Sequence, residues 1–268
     1  MSRVWFAMVV LSLALVACQP RIPGPQPTQI SDDLSREATA VILTQNAPPT
    51  PFHEQVTLTS LSSGTDILPS WRAMVTLRFD GVFAGTSRQA TAFTEAAIQY
   101  SLLGSQRRVV LTVDGALLDQ EAPLTTEGVR LGPDTFLVRD NVCAVTTDLD
   151  ASAIADLGVN ELIGGVARAA PDGTKAIING EEVWRYAFAS DDLRLTNLVI
   201  ADDGRILDAQ GELWFSPARK AAIRFYLSMD VENAYVFGAQ VPVTGQAVMQ
   251  YDLLDVGTEQ NISVPFGC

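Results

Sequence analysis

The chain holds a single histidine, His53, among 268 residues. That scarcity leaves a histidine-containing triad or a histidine-rich zinc site little to draw on. His53 itself borders a proline-rich stretch and reads as solvent-exposed. No Gly-x-Ser-x-Gly elbow, Walker loop or Gly-x-Gly-x-x-Gly turn occurs in the sequence. Basic residues are also few: 18 Lys and Arg stand against 31 Asp and Glu, a net charge of −13. Such a surface does not suit the phosphate backbone of nucleic acid, nor basic docking on anionic lipid. Asp148-x-Asp150-x-Ser152 opens like a calcium loop, but Ala153 stands where the turn needs Gly and Val159 where a bidentate Glu belongs. The expectation is no enzyme, no catalytic residue, no metal ligand, no cofactor and no nucleic-acid partner.

A long hydrophobic run is lacking too. The candidate, Val4 to Cys18, reads VWFAMVVLSLALVAC. It falls short of the roughly 20 apolar residues of a spanning helix. Placed behind Arg3 and ending in small residues, it reads as a secretory signal over 1–17. Its end, Leu15-Val16-Ala17-Cys18, has the form of a bacterial lipobox, in which the Cys18 thiol takes the lipid. Leu15 suits a lipobox and suits ordinary signal cleavage poorly. A mature chain starting at Cys18 loses Arg3 and no acid, so its net charge moves from −13 to −14. Membrane contact is expected through acyl chains on Cys18, and stable anchoring takes two or more such signals. Gln19 follows, not Asp, so no retention signal of the enteric kind is visible.

Three cysteines are present, and Cys18 is assigned to the anchor. Cys143 and Cys268 remain, an even number for an oxidising compartment, and either a disulfide or two free thiols fits.

Residues 19–30, QPRIPGPQPTQI, hold four prolines. They read as a tether that stands the domain some tens of ångströms off the membrane at about 3.1 Å per residue. Ser31 can cap a short helix through Leu34 to Thr44, ended by Ala47-Pro48-Pro49. The lipidated Cys and tether are placed at 18–50 and one folded domain at 51–268.

Beyond the tether the hydrophobic period is two. Trp71, Ala73, Val75, Leu77 and Phe79 alternate with polar or smaller residues, as do Ile223, Phe225, Leu227 and Met229. Further strands are expected over 55–61, 90–103, 107–114, 127–131, 135–139, 174–179, 182–189, 195–201, 205–216, 246–254 and 262–265. The stretches 81–87, 115–123 and 236–245 are loops. Asp202-Asp203-Gly204 is a hairpin turn signal and Pro171-Asp172-Gly173 a turn. Ser152 to Ala169 reads as two short helices, capped by Ser152 and Asn160. Glu181 and Glu182 fit a hairpin turn as well as a carboxylate pair, and Trp184, Tyr186 and Phe188 fit a core better than a sugar platform. Asn261-Ile262-Ser263 matches a glycosylation sequon, which has no meaning in a bacterial lipoprotein.

About ten strands in sequential hairpins form an antiparallel meander whose apolar face must be covered, and only the helices are available to cover it. The expected class is mainly β (α+β): a large curved antiparallel sheet forming an unclosed barrel, with short helices packed in its concave face. A two-sheet sandwich is the alternative.

With its lipobox, proline tether, long strands, mid-chain helical pair and closing Tyr251-Asp252-Leu253-Leu254-Asp255 and Ile262-Ser263-Val264-Pro265, the chain resembles the LolA/LolB-like and LppX/LprG-like lipoproteins. The stretch Val199 to Gln210 fits as well. The resemblance covers roughly residues 65–268. It implies an unclosed barrel with a helical lid and binding of acyl chains or lipidated partners between them. No ligand residue of the family maps onto a position here. The expectation is therefore a monomer, lipid-anchored on the extracytoplasmic face of the cell membrane, that binds or carries a lipid, a glycolipid or an acylated partner. The alternative is a structural or interaction lipoprotein with a filled core. An apolar cavity above roughly 300 Å³ under the helices favours the first.

Overall fold

The computed structural model describes residues 54–139, 142–145 and 149–268. Contacts divide the chain into Met1–Pro48 and Pro49–Cys268, and the second unit is the one described. Cys18, the tether, the helix expected over 34–44, His53 and Asp148 lie outside the described residues.

Thirteen strands form one antiparallel sheet: β1 (Val56–Leu58), β2 (Ser70–Phe83), β3 (Gln89–Ser101), β4 (Gln106–Gly115), β5 (Gln120–Leu131), β6 (Asp134–Arg139), β7 (Val142–Val145), β8 (Gly164–Ile178), β9 (Glu181–Ala187), β10 (Leu193–Leu195), β11 (Leu198–Ser216), β12 (Ala221–Val236) and β13 (Val243–Leu254). The helices are α1 (Leu149–Ala155) and α2 (Val159–Leu162). The spatial order is β1-β8-β9-β11-β12-β13-β2-β3-β4-β5-β6-β7, with β10 also paired to β8. Among the described residues β1 and β7 do not pair, so the sheet is open. The chain is mainly β, and none of its described helices is long and apolar enough to cross a membrane.

Alternation explains which side faces inward. One cross-strand row runs Tyr186, Leu213, Phe225, Tyr251, Val75, Ala96 and Leu111 from β9 to β4. The row continues the period-two pattern of β2 and β12, and all its members except half-buried Leu111 are buried. The opposite face of β12 carries Arg224, Tyr226, Ser228 and Asp230.

The chain crosses from β7 to β8 by way of the two helices. Ala151 and Ala155 of α1 are fully buried. Gly128 of β5 makes this approach possible: a Cβ there would stand 2.6 Å from the Ala155 amide nitrogen and 2.8 Å from Ile154. Arg107 donates from Nη2 to the Leu157 carbonyl at 2.7 Å, and Arg130 pairs with Asp156. The side chain of Glu161 accepts from the Gly158 amide at 2.9 Å, which satisfies a free N–H at the start of α2. At the other end Asn197 donates to the Leu162 carbonyl at 3.0 Å.

Several local expectations are corrected by these partners. Ser152 lies inside α1 and Asn160 inside α2, so neither is the cap. The second helix ends at Leu162, and Gly164 to Ala169 is strand, held between β1 and β10. Pro171-Asp172-Gly173 is a register shift within β8, where Asp172 accepts from the Thr174 amide. Asp202-Asp203-Gly204 is no hairpin: β11 runs through it and pairs with β12 on both sides, Ile200 with Ala234 and Arg205 with Glu232. A Cβ on Gly204 would sit 2.1 Å from the Asn233 carbonyl, so this bulge needs glycine for close approach. The order is also not a plain meander, because β13 pairs with β2 and joins two runs of hairpins.

Ile262 to Pro265 forms no strand. After β13 the chain donates from Gly257 N to the Ser70 carbonyl at 2.9 Å and runs to the outer face of β5 and β6. There Ile262 is buried against Val129 and Phe136. Cys143 and Cys268 are joined, with Cα atoms 5.4 Å apart. The bond fastens this C-terminal strap to β7.

Candidate ligand cleft

The inward row of the sheet is packed with large apolar side chains. Tyr186, Tyr251, Phe79, Phe225, Leu77 and Ile163 rank among the largest fully buried side chains. They belong to one contiguous cluster with Val159 and Leu162 of α2. Phe188 stacks on Phe225 with ring centroids 5.7 Å apart. The aromatics Trp184 and Tyr186 are therefore core residues and not a sugar platform.

Two tyrosine hydroxyls in this face, Tyr186 and Tyr251, have no hydrogen-bond partner. Burial, with a smaller contribution from the Glu54 charge, pushes the Tyr186 phenol up to about 12. Burial and then Asp252 push Tyr251 up as well. A raised folded pKa means that stability is fully present below the unfolded value near 10 and is lost as pH rises through the folded value. Alkaline titration followed by tyrosinate absorbance is expected to show two phenols ionising later than the rest, with unfolding setting in above about pH 10. Two late phenols replaced by five ordinary ones would contradict this packing.

Among the described residues, three clefts lie at the margins of the sheet, and no residue of α1 or α2 lines them. One of them, about 350 Å³, sits where three connections meet: β2–β3, β4–β5 and β12–β13. Their meeting follows from the antiparallel order, since β2, β4 and β12 all run toward this end of the sheet. Phe83, Leu117 and Ala239 give the cleft an apolar floor that continues into the core cluster. Gln89 and Gln240 add amides, and Arg88 and Asp119 add one charge of each sign.

Backbone hydrogen bonds tie the loops around the cleft. Phe83 N–H donates to the Arg88 carbonyl at 3.0 Å, closing the β2–β3 turn. Ala84 N–H donates to the Pro242 carbonyl at 3.0 Å, tying that turn to the β12–β13 loop. The Arg88 guanidinium lies over the Phe83 ring, 3.8 Å from its centroid, a cation–π contact. Asp119 ends a one-turn 3-10 helix, Ala116–Leu118, in a left-handed conformation with φ of 52°. Among the described residues neither Arg88 nor Asp119 has an ion-pair partner, whereas nine other cations do.

The other two clefts are smaller. One of about 290 Å³ contains Arg168, already paired with Asp192 at 3.3 Å. The other, about 250 Å³, is lined by Leu193, Leu195, Leu198, Ile200, Ile206 and Met229.

Sequence reasoning named Cys143 and Cys268, which the fold brings together, and Glu181 and Glu182, which it separates onto different cations. Glu181 binds Arg219 at 3.0 Å and Glu182 binds Lys175 at 2.6 Å. It did not name Arg88 or Asp119. The available signal was the parity of the three loops, each following a strand of the same direction.

No protein-family model matches the sequence, and comparison with curated proteins finds no match. Among solved structures the chain is similar to a DUF1329 family protein from Desulfovibrio piger, at 8% identity and a TM-score of 0.20, over 76% of this chain and 88% of that one.

Proposed function

We propose that this is a lipoprotein, anchored through Cys18 on the extracytoplasmic face of the membrane, that binds the apolar part of a ligand in the cleft at the sheet margin. The observation that carries this reading is the cleft of about 350 Å³ whose floor of Phe83 and Leu117 is continuous with the core. That volume lies within the usual range for small-molecule sites, about 300–1,000 Å³. Each methylene transferred from water to such a floor contributes about 0.8 kcal/mol. The lipobox supports the anchor, and the open sheet with helices on its inner face is compatible with the LolA-like resemblance. The site is placed at the margin because the inward row of the sheet, Tyr251 and Phe225 among it, is closely packed. No catalytic role is proposed.

The packed inner face favours a second reading, an interaction lipoprotein with no small-molecule ligand. Lipid extraction and mass spectrometry on a signal-free Cys18→Ser protein separates the two. A stoichiometric co-purifying amphiphile is the expected result. A ligand-free protein that also takes up no uncharged apolar dye would overturn the carrier reading in favour of the second.

A further inference from the structure

Arg88 and Asp119 form the polar half of the cleft, and their arrangement defines a ligand class. The chain has 31 acids and 18 Lys and Arg, and nine described cations are paired. These two opposite charges line one cleft and are not bonded to each other or to any other described ion. Both residues are exposed; the guanidinium stacks on the Phe83 ring at 3.8 Å, and Asp119 follows a 3-10 turn. Two opposite, unpaired charges lining one cleft above an apolar floor complement a molecule carrying the same pair reversed.

We propose that the cleft recognises a zwitterionic ligand, with Arg88 taking its anionic group, Asp119 its ammonium, and Phe83 and Leu117 the adjoining apolar body. This rests on the carrier reading and names its substrate class. Net charge supports it. A protein at −13 repels an anionic amphiphile over a distance of about one Debye length, and leaves a neutral zwitterion unaffected. The amides of Gln89 and Gln240 line the same cleft and can donate to the anionic group or accept from the ammonium. The chemistry is shared by an ethanolamine phospholipid headgroup and by a small free zwitterion.

The test uses the signal-free Cys18→Ser protein and four probes: a short-chain lysophosphatidylethanolamine below its micelle concentration, the matching lysophosphatidylglycerol, glycerophosphoethanolamine, and Nile red as an uncharged apolar dye. Binding is read by calorimetry or, for the dye, by fluorescence. The ethanolamine lipid is expected to bind, and R88Q and D119N each to weaken it about tenfold, the scale of a lost charge-assisted hydrogen bond. D119N is expected to turn the preference toward the glycerol lipid, which a purely structural effect would not do. Unchanged melting temperatures of both variants exclude misfolding as the cause. Tight binding of glycerophosphoethanolamine alone assigns the site to a free zwitterion, and binding of the lipid alone assigns it to a headgroup; both support the proposal. Equal affinity for the two lysolipids, or changes within about twofold in both variants, overturns it. If Nile red still binds and is displaced by either lipid alike, the carrier reading survives and the zwitterion assignment falls. If no probe binds, both fall.

Discussion

Replacing Phe225 by alanine is expected to remove about 3–5 kcal/mol of stability, the range for deleting a buried aromatic side chain. Phe225 is 1% exposed and central to the inward row, paired across the sheet with Leu213 on one side and Tyr251 on the other. Phe188 stacks on its ring, so truncation strips contacts from three neighbours at once. Its sequence neighbour Tyr226 faces outward and is 39% exposed. Tyr226→Ala is expected to cost well under half as much. Urea midpoints at constant slope measure both. Equal losses would contradict the inward and outward assignment of β12, because a slip of one residue exchanges the faces. Since small domains are stable by about 5–15 kcal/mol in total, the Phe225 variant stands close to unfolding.

Loss of the Cys143–Cys268 bond is expected to have an effect of similar size. The bond closes a loop with a sequence separation of 125 residues. In the chain-entropy description a loop of that length contributes about 4–5 kcal/mol, an upper figure for the native bond. Reduction also frees the strap that buries Ile262 on Val129 and Phe136. The comparison is between oxidised protein and the Cys143→Ser, Cys268→Ser double variant in the same denaturant series. An Ile262→Ala variant in the oxidised background isolates the packing share. A midpoint unchanged by the double variant would show that the strap adds nothing to the stability of β5 and β6.

The faces of β2 and β12 were legible in the sequence. Trp71 to Phe79 and Ile223 to Met229 alternate without a break, and burial follows the alternation residue by residue. The helix and turn boundaries were less legible, because their local chemistry is ambiguous. Asp202-Asp203-Gly204 has the composition of a hairpin turn, yet the same residues make a bulge when Asn233 of β12 lies opposite. Which one forms depends on a partner about 30 residues away, and long-range pairing overrides local preference. Gly164 and Gly165 read as a weak helix because glycine disfavours strand and helix alike. In the fold a Cβ at Gly165 would stand 2.1 Å from the Leu58 carbonyl, which only the pairing of β1 reveals. The cleft was invisible for a related reason. Arg88 and Asp119 sit in separate connections, and each alone is an ordinary polar turn residue.

The pairing of β13 with β2 has a consequence for the order in which the protein is made. Ribosomes extend a chain from its N-terminus at about 5–20 residues per second. β2 is complete at Phe83, but its partner on that side begins only at Val243. The edge of β2 is therefore left without its neighbour for on the order of ten to thirty seconds of synthesis. Throughout that interval the hairpins from β2 to β7 can form among themselves, while one flank offers unpaired backbone groups to any passing strand. Joining the halves must wait for distant contacts, the kind that slow folding. The join thus leaves the flank of β2 open to mispairing until β13 docks.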